Sequence, residues 1–362
     1  MQISISDDAA ALAVGADDVA RALADAAPEA TIRRTSSYGM QWLEPLVEID
    51  GIGYGPVTKD DVAAILSGES ELCIGRIDDH PFIAKQQRLT FERAGKTVPL
   101  SLDDYSATGG WRGLERAKSL SSEAIIQEVV DSGLRGRGGA GFPAGIKWRT
   151  VAETRADRKF IVCNADEGDS GTFADRMVME GDPYALIEGM AIAALAVGAR
   201  TGFIYVRSEY PHSIAKLNAA IARSAKIVAP FKVEVRVGAG AYVCGEETAL
   251  LNSLEGKRGE VRAKPPLPAH EGAFGKPTVV NNILTLAAVP HILADGGTYY
   301  GDFGHGRSRG TMPIQLAGNI KHGGLFETAF GITLGELVYD IGGGTETGRP
   351  VKAVQVGGPL GA

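Results

Sequence analysis

Four loops of this 362-residue chain gather the side chains that could do chemistry. The first, GLRGRGGAGFPAGIKW (Gly133–Trp148), sets six glycines among Arg135, Arg137, Lys147 and an isolated Phe142. Glycine loses more backbone entropy on folding than any other residue, so such a cluster marks unusual dihedrals or the close approach of another molecule. The cations make that molecule an anion; a plain tight turn is the competing reading. The second loop, CNADEGDSGTF (163–173), places Asn164, Asp166, Glu167, Gly168 and Asp169 where an apolar strand ends. Ligands of parallel sheets collect at the carboxyl ends of strands. The third, GAGAYVCGEETAL (238–250), puts Tyr242, Gly245, Glu246 and Glu247 between a strand and a helix start. Acids there also simply favour the helix dipole, by ~0.3–1 kcal/mol. The fourth, KPTVVNNILTLAAVP (276–290), puts Asn281 and Asn282 at a helix start. Free N–H groups at such a start can seat a phosphate, and Asn is equally an ordinary N-cap. Jointly the loops ask for a flat, polyhydroxylated, phosphorylated ligand.

Two familiar phosphate loops are excluded. Gly136-Arg137-Gly138-Gly139-Ala140-Gly141 fits GxGxxG, but a dinucleotide fingerprint needs a strand before it, and here the pattern predicts a helix. Lys147 is followed by Trp148, where a P-loop needs a serine or threonine for magnesium.

The elements that must position these loops read as alternating helices and strands over ~120–300, which implies a largely parallel sheet in an α/β fold. SSEAIIQEVVDSG is a helix with serine at its start and Gly133 after its end. KFIVCNADEG and GFIYVRSEY begin as strands, and DPYALIEGMAIAALAVGA is a long buried helix. Ahead of them, helix 16–27, strand ATIRRTSS, hairpin PLVEID-GIGYGPV and a helix from Lys59 suit a small thioredoxin-like domain, 1–68, without a cysteine pair. A polar stretch, 69–120, reads as a linker to the ligand-binding domain, 121–308. Short strands in PIQLAGNI and the motif TLGELVYDIGGG point to a β-rich unit, 309–362. The ending VGGPLGA reads as an interruption.

Composition narrows the class. The net charge of −7 without a basic run argues against nucleic acid as a partner. The run MAIAALAVGA is about half a bilayer crossing. Cys73, Cys163 and Cys244 stand apart, which fits a reducing cytoplasm and gives this chain no metal or cluster site of its own. The 48 glycines are nearly twice the ~7% norm, as backbone packed against ligands requires.

The four loops, in this order, resemble the FMN- and NADH-binding flavoprotein subunits of respiratory complex I and its relatives, the diaphorase subunits of NAD-reducing hydrogenases and NAD-dependent formate dehydrogenases. The resemblance covers roughly 120–362. The fused front and the KQQRLTF–SLDDY connection most resemble the beta subunit of molybdenum formate dehydrogenase. It implies that Gly136, Arg137, Gly138, Gly139 and Lys147 hold FMN. Asn164, Asp166, Glu167 and Gly168 would bind its ribityl chain and ring edge. Tyr242, Gly245 and Glu246 would flank the ring, and Asn281 and Asn282 would seat the phosphate. Phe142, Glu247 and Lys264 fall at positions resembling those that bind NADH. No side chain need act as acid or base; Glu167 and Glu246 would position the reactants for hydride transfer.

The resemblance further implies a β-grasp domain at 309–362. It implies a 4Fe–4S cluster in a following part that this chain lacks, a thioredoxin-like 2Fe–2S partner subunit and an iron–sulfur/molybdenum catalytic partner. Leu267 stands where complex I relatives commonly have phenylalanine, and Asp169-Ser170 where they often have acid-Pro. The competing functions are the same subunit in a hydrogenase or complex I, and a nucleotide-binding assembly subunit without catalysis.

Overall fold

The computed structural model describes residues 1–358 and Gly361; Pro359, Leu360 and Ala362 of the VGGPLGA ending lie outside the described residues. The chain divides into two units: residues 1–99, 171–182 and 313–362 form one, and residues 100–170 with 183–312 form the other.

In the first unit, β1 (Gln2–Ser6) and β2 (Thr31–Thr35) run parallel, while β3 (Val47–Ile49), β4 (Ile52–Tyr54) and β5 (Cys73–Arg76) continue the sheet antiparallel. The order is β2-β1-β3-β4-β5. Helix Ala16–Ala26 buries Val19 and Leu23, and helix Val62–Ser67 buries Val62 and Ile65, against Ile3, Ile5 and Val47. Those helices, β2 and the hairpin follow the sequence pattern. The strand at the very start, β1, does not: Ser4 and Ser6 are buried beside Ile3 and Ile5, so a central position carries no apolar run. Residues 69–99, read as linker, are folded as well. Ile77 and Phe82 lie in a core with Met40, Phe326 and Leu337. The buried Glu327 carboxylate accepts from the Thr90 and Phe91 amides at 3.0 and 2.9 Å.

PIQLAGNI contributes the strand Thr311–Gln315, which forms a two-stranded sheet with Leu325–Ala329. TLGELVYDIGGG forms a π-helical segment, Glu336–Ile341, where short strands are expected. Thr333 and Glu336 explain it: the Thr333 amide donates to Glu336 Oε2 at 2.8 Å and the Glu336 amide to Thr333 Oγ1 at 3.2 Å, a capping box.

The second unit is built on β6 (Phe160–Ala165), β7 (Thr201–Arg207), β8 (Lys232–Gly238) and β9 (Thr278–Asn282), all parallel, in the order β8-β7-β6-β9. The fold is mixed α/β with a parallel sheet in this unit. Phe160, Val162, Phe203, Tyr205, Leu250 and Val280 pack as one cluster. Helix Pro183–Val197 is buried on nearly every side, as its unbroken apolar run requires. Residues 100–120, also read as linker, hold helices Leu102–Ala107 and Arg112–Lys118. Buried Glu188 ties them down, accepting from Tyr105 Oη at 2.6 Å and from the Trp111 and Leu114 amides at 2.8 Å. Among the described residues no helix is long and apolar enough to cross a membrane.

Candidate functional site

The four loops belong to the second unit, save residues 171–173 at the end of the second loop, and parallel pairing lines up the strands that carry them. Asn164 of β6 lies opposite Tyr205 of β7 and Asn282 of β9. The glycine loop leaves helix Ser122–Asp131, capped by Ser121 Oγ accepting from the Ala124 amide, and enters helix Ala144–Glu153. A helix does precede it, so the dinucleotide fingerprint is absent. The loop closes on itself through the Gly136 amide and the Phe142 carbonyl at 2.9 Å. Gly139 and Gly141 take φ 112° and 60°, which only glycine adopts freely.

The loops then meet. A Cβ on Gly138 would stand 3.1 Å from the Asn282 side chain, joining the first loop to the fourth. Lys147 Nζ donates to the Val280 carbonyl at 2.9 Å and reaches Glu247 Oε2 at 3.3 Å, joining the first to the fourth and third. Asn164 Nδ2 donates to the Gly245 carbonyl at 2.9 Å, and Tyr242 Oη to Asp169 Oδ1 at 3.1 Å, joining the second to the third.

Charge is balanced at one side of this junction and not at the other. Lys264 Nζ lies 2.9 Å from Glu247 Oε1 and 3.0 Å from Glu246 Oε1. Glu247 therefore sits between two lysines, in a group of two cations and two anions. Glu246 caps helix Glu247–Leu254, its Oε2 accepting from the Thr248 and Ala249 amides at 2.8 and 2.9 Å. Burial opposes its charge, but the bonds from Thr248, Ala249 and Lys264 outweigh it and hold the carboxyl below its ordinary value. Burial likewise disfavours charge on Lys264, and the two carboxylates overcome it and raise its pKa. Asp166 has no such support. It is 2% exposed, and among the described residues its Oδ2 has no hydrogen-bond partner. Burial pushes its pKa up to about 6, against the pull of Arg207 and with a further push from Glu209. A Cβ on Gly168 or Gly245 would stand 3.1 or 3.3 Å from that oxygen.

Several expectations change in detail. The Arg137 guanidinium is committed to the protein: it donates to the carbonyls of Arg135 at 2.8 Å and Arg309 at 2.7 Å and to Tyr300 Oη at 3.0 Å. Lys147 is the loop cation that reaches the junction. Asn281 lies within β9, its Oδ1 accepting from buried Trp148 Nε1 at 2.9 Å, so only Asn282 caps the helix that follows. Phe142 and Tyr242 expose their rings, at 50% and 63%, as a stacking surface would. Sequence reasoning missed Arg207 and Tyr210, whose side chains donate to the backbone of the second loop. The signal is present in RSEY, which follows an apolar strand just as NADE does.

Residues 129–291, which hold most of this junction, match the family model described as the Nuo51 FMN-binding domain. The chain belongs to that NADH/FMN flavoprotein family. The chain is similar to NADP-reducing hydrogenase subunit HndC of Solidesulfovibrio fructosivorans, 47% identical over 76% of this chain and 58% of the relative. One of the NADH-quinone oxidoreductase subunits of Rhizobium meliloti is 47% identical over 71% of this chain and 64% of its own. NAD-reducing hydrogenase HoxS subunit alpha of Cupriavidus necator is 40% identical over 68% and 42%. A crystal structure of NAD+-reducing [NiFe]-hydrogenase in the air-oxidised state superposes with TM-score 0.63 at 33% identity, covering 94% of this chain and 60% of that one. The chain thus spans about three-fifths of the length of the first two relatives. Its Nuo51-type residues fit a flavin mononucleotide. Gly138, Gly168 and Gly245 leave room that a Cβ would fill, and buried Asp166 keeps an acceptor oxygen without a hydrogen-bond partner among the described residues.

Proposed function

We propose that this chain is a diaphorase subunit that binds FMN and moves electrons between NAD(H) and iron–sulfur clusters of partner subunits. The observation that carries the reading is the meeting of the four loops, with an Asp166 oxygen beside the second and third that has no hydrogen-bond partner among the described residues, within the stretch that matches the Nuo51 domain. When bound, FMN supplies hydride exchange with a nicotinamide and one-electron exchange with clusters. The chain supplies orientation and charge. Asp166 offers its free oxygen to ribityl hydroxyls, and Asn164 and Glu167 lie on the same turn. Lys147 places a cation beside the anionic ligand, and Gly136, Gly138 and Gly139 let backbone approach it. Asn282 and the helix it caps face the phosphate.

Phe142 and Tyr242 offer exposed rings for stacking, and Glu247 with Lys264 holds the adenosine ribose of NADH. One cationic loop and one asparagine-capped helix start seat a single phosphate, so the flavin is FMN and not FAD. Mass analysis of the released flavin tests this: FAD, or no flavin from folded protein, defeats it.

The assembly we propose is NAD-dependent formate dehydrogenase, on the fused front and the KQQRLTF–SLDDY stretch. Its partners would be a thioredoxin-like 2Fe–2S subunit and a molybdenum subunit. A specific observation favours a second reading, an NAD-reducing hydrogenase, because that enzyme's chain aligns with 94% of this one, the front included. Reduction of the flavin in the assembled complex by formate, or by hydrogen, separates the two.

A further inference from the structure

The turn that ends β6 is gripped by residues at the end of its neighbour, β7. Glu167 takes φ 36°, a left-handed conformation that a residue with a Cβ rarely adopts. Such strain persists only where the surroundings over-determine it. Two side chains do so here. Tyr210 Oη donates to the Glu167 carbonyl at 2.7 Å. Arg207 Nη1 donates to the Gly168 carbonyl at 3.0 Å and reaches that of Glu167 at 3.4 Å. The guanidinium is itself held, by Glu209 Oε1 at 2.8 Å and by the Tyr210 ring, whose centroid is 5.5 Å away.

We propose that Arg207 and Tyr210 are positioning residues for the flavin site: by fixing the carbonyls of Glu167 and Gly168, they aim the Asp166 carboxylate at the ligand. The proposal rests on the flavin reading above. Asp166 Oδ2 has no hydrogen-bond partner among the described residues, so the backbone that carries it sets where that oxygen points. Gly168 is crowded between Asp166 and Tyr242, with room for a Cβ only 3.1 and 3.0 Å from them, so a shift of this turn moves all three together. The charged and titratable groups acting on Asp166 are Arg207 at the end of β7 and Glu209 beyond it, with Tyr205 on β7 and Tyr242 on the third loop acting more weakly. Arg207 therefore acts twice, through geometry and through charge, whereas Tyr210 acts through geometry alone.

The test uses the full chain and three variants, Tyr210→Phe, Arg207→Lys and Arg207→Gln, with two readouts. The first is amide hydrogen exchange over residues 166–169 in flavin-free protein. The second is the FMN dissociation constant against pH, read from quenching of flavin fluorescence between about pH 5.5 and 8.5. In Tyr210→Phe, exchange should quicken and FMN affinity should fall about three- to tenfold at every pH, the share of one hydrogen bond, with the midpoint unmoved. Arg207→Lys keeps the charge and loses the fork, so exchange should quicken with the midpoint kept. Arg207→Gln should also move the midpoint to higher pH, because the charge opposing Asp166's protonation is gone. Unchanged exchange at residues 167–169 in folded Tyr210→Phe overturns the proposal, and that mild variant serves even if Arg207→Gln fails to fold. A wild-type chain that binds no FMN at any pH defeats the flavin reading instead, while the exchange readout still decides whether these two residues fix the turn.

Discussion

Asp166→Asn should make the flavin-free protein more stable and the flavin site worse. The carboxyl is 2% exposed, its Oδ2 has no hydrogen-bond partner among the described residues, and burial lifts its pKa from 3.8 to about 6. A lift of that size costs the charged form ~3 kcal/mol. Solvent reaching the loop reduces this to roughly 1–2 kcal/mol. The sign follows from proton binding. The folded state holds this proton more tightly than the unfolded chain, so stability is highest below the unfolded pKa. It falls as pH rises from ~4 to ~6 and stays low above. Asparagine keeps the shape and carries no charge at any pH. At pH 7.5 the variant should therefore melt about 2–8 °C above wild type, at about 2–4 °C per kcal/mol for a unit of this size. The gap should narrow as pH falls from ~6, and the two should converge near pH ~4 and below, where Asp166 is protonated in the folded and unfolded states alike. Thermal unfolding of flavin-stripped protein across that range is the assay, and dialysis against FMN should show about tenfold weaker binding by the variant at pH 7.5. A variant no more stable at pH 7.5, or an advantage that persists unchanged at pH 4, would refute the argument.

Lys147→Ala removes the cation that bridges Val280 and Glu247, and flavin affinity should drop about ten- to a hundredfold, the worth of a charge-assisted hydrogen bond of ~1.5–3 kcal/mol; equilibrium dialysis measures it. Gly138→Val places its Cβ 3.1 Å from Asn282 and pushes the first loop off the fourth, so flavin content after extensive dialysis should fall further than in Lys147→Ala. Glu247→Gln should lower the ratio of kcat/KM for NADH over NADPH several-fold. Unit charges at ~4 Å repel by ~4 kcal/mol at an effective dielectric near 20, and the two bridging lysines leave about a quarter to a half of that. An unchanged ratio would assign the exclusion of a 2′-phosphate to another residue.

The site is legible in its strand ends and less so in its contacts. Asp166 and Asn164 announce themselves because an apolar strand stops abruptly into acids and amides, and Glu247 because a glycine-rich turn runs into paired acids at a helix start. Arg207 ends β7 in the same manner, but it acts on backbone carbonyls of another loop, which no spacing reveals. Arg137 reads as a ligand cation, yet two of its partners, Tyr300 and Arg309, lie far along the chain. β1 is hidden by Ser4 and Ser6, buried polar residues that break the apolar signature of a central strand. Residues 69–120 read as polar because their buried side chains, among them Ile77, Phe82, Tyr105 and Leu114, are spread singly between charges. Where burial depends on distant partners such as Glu188 and Glu327, local pattern carries little of it.

The central claim is that this chain binds FMN and exchanges electrons with NAD(H) through it. An anaerobic visible spectrum of the assembled protein during titration with NADH tests that most directly. The bound flavin should bleach in proportion to added NADH, and iron–sulfur absorption of the partner subunits should fall with it. Bound flavin that stays oxidised in excess NADH and NADPH would contradict the claim.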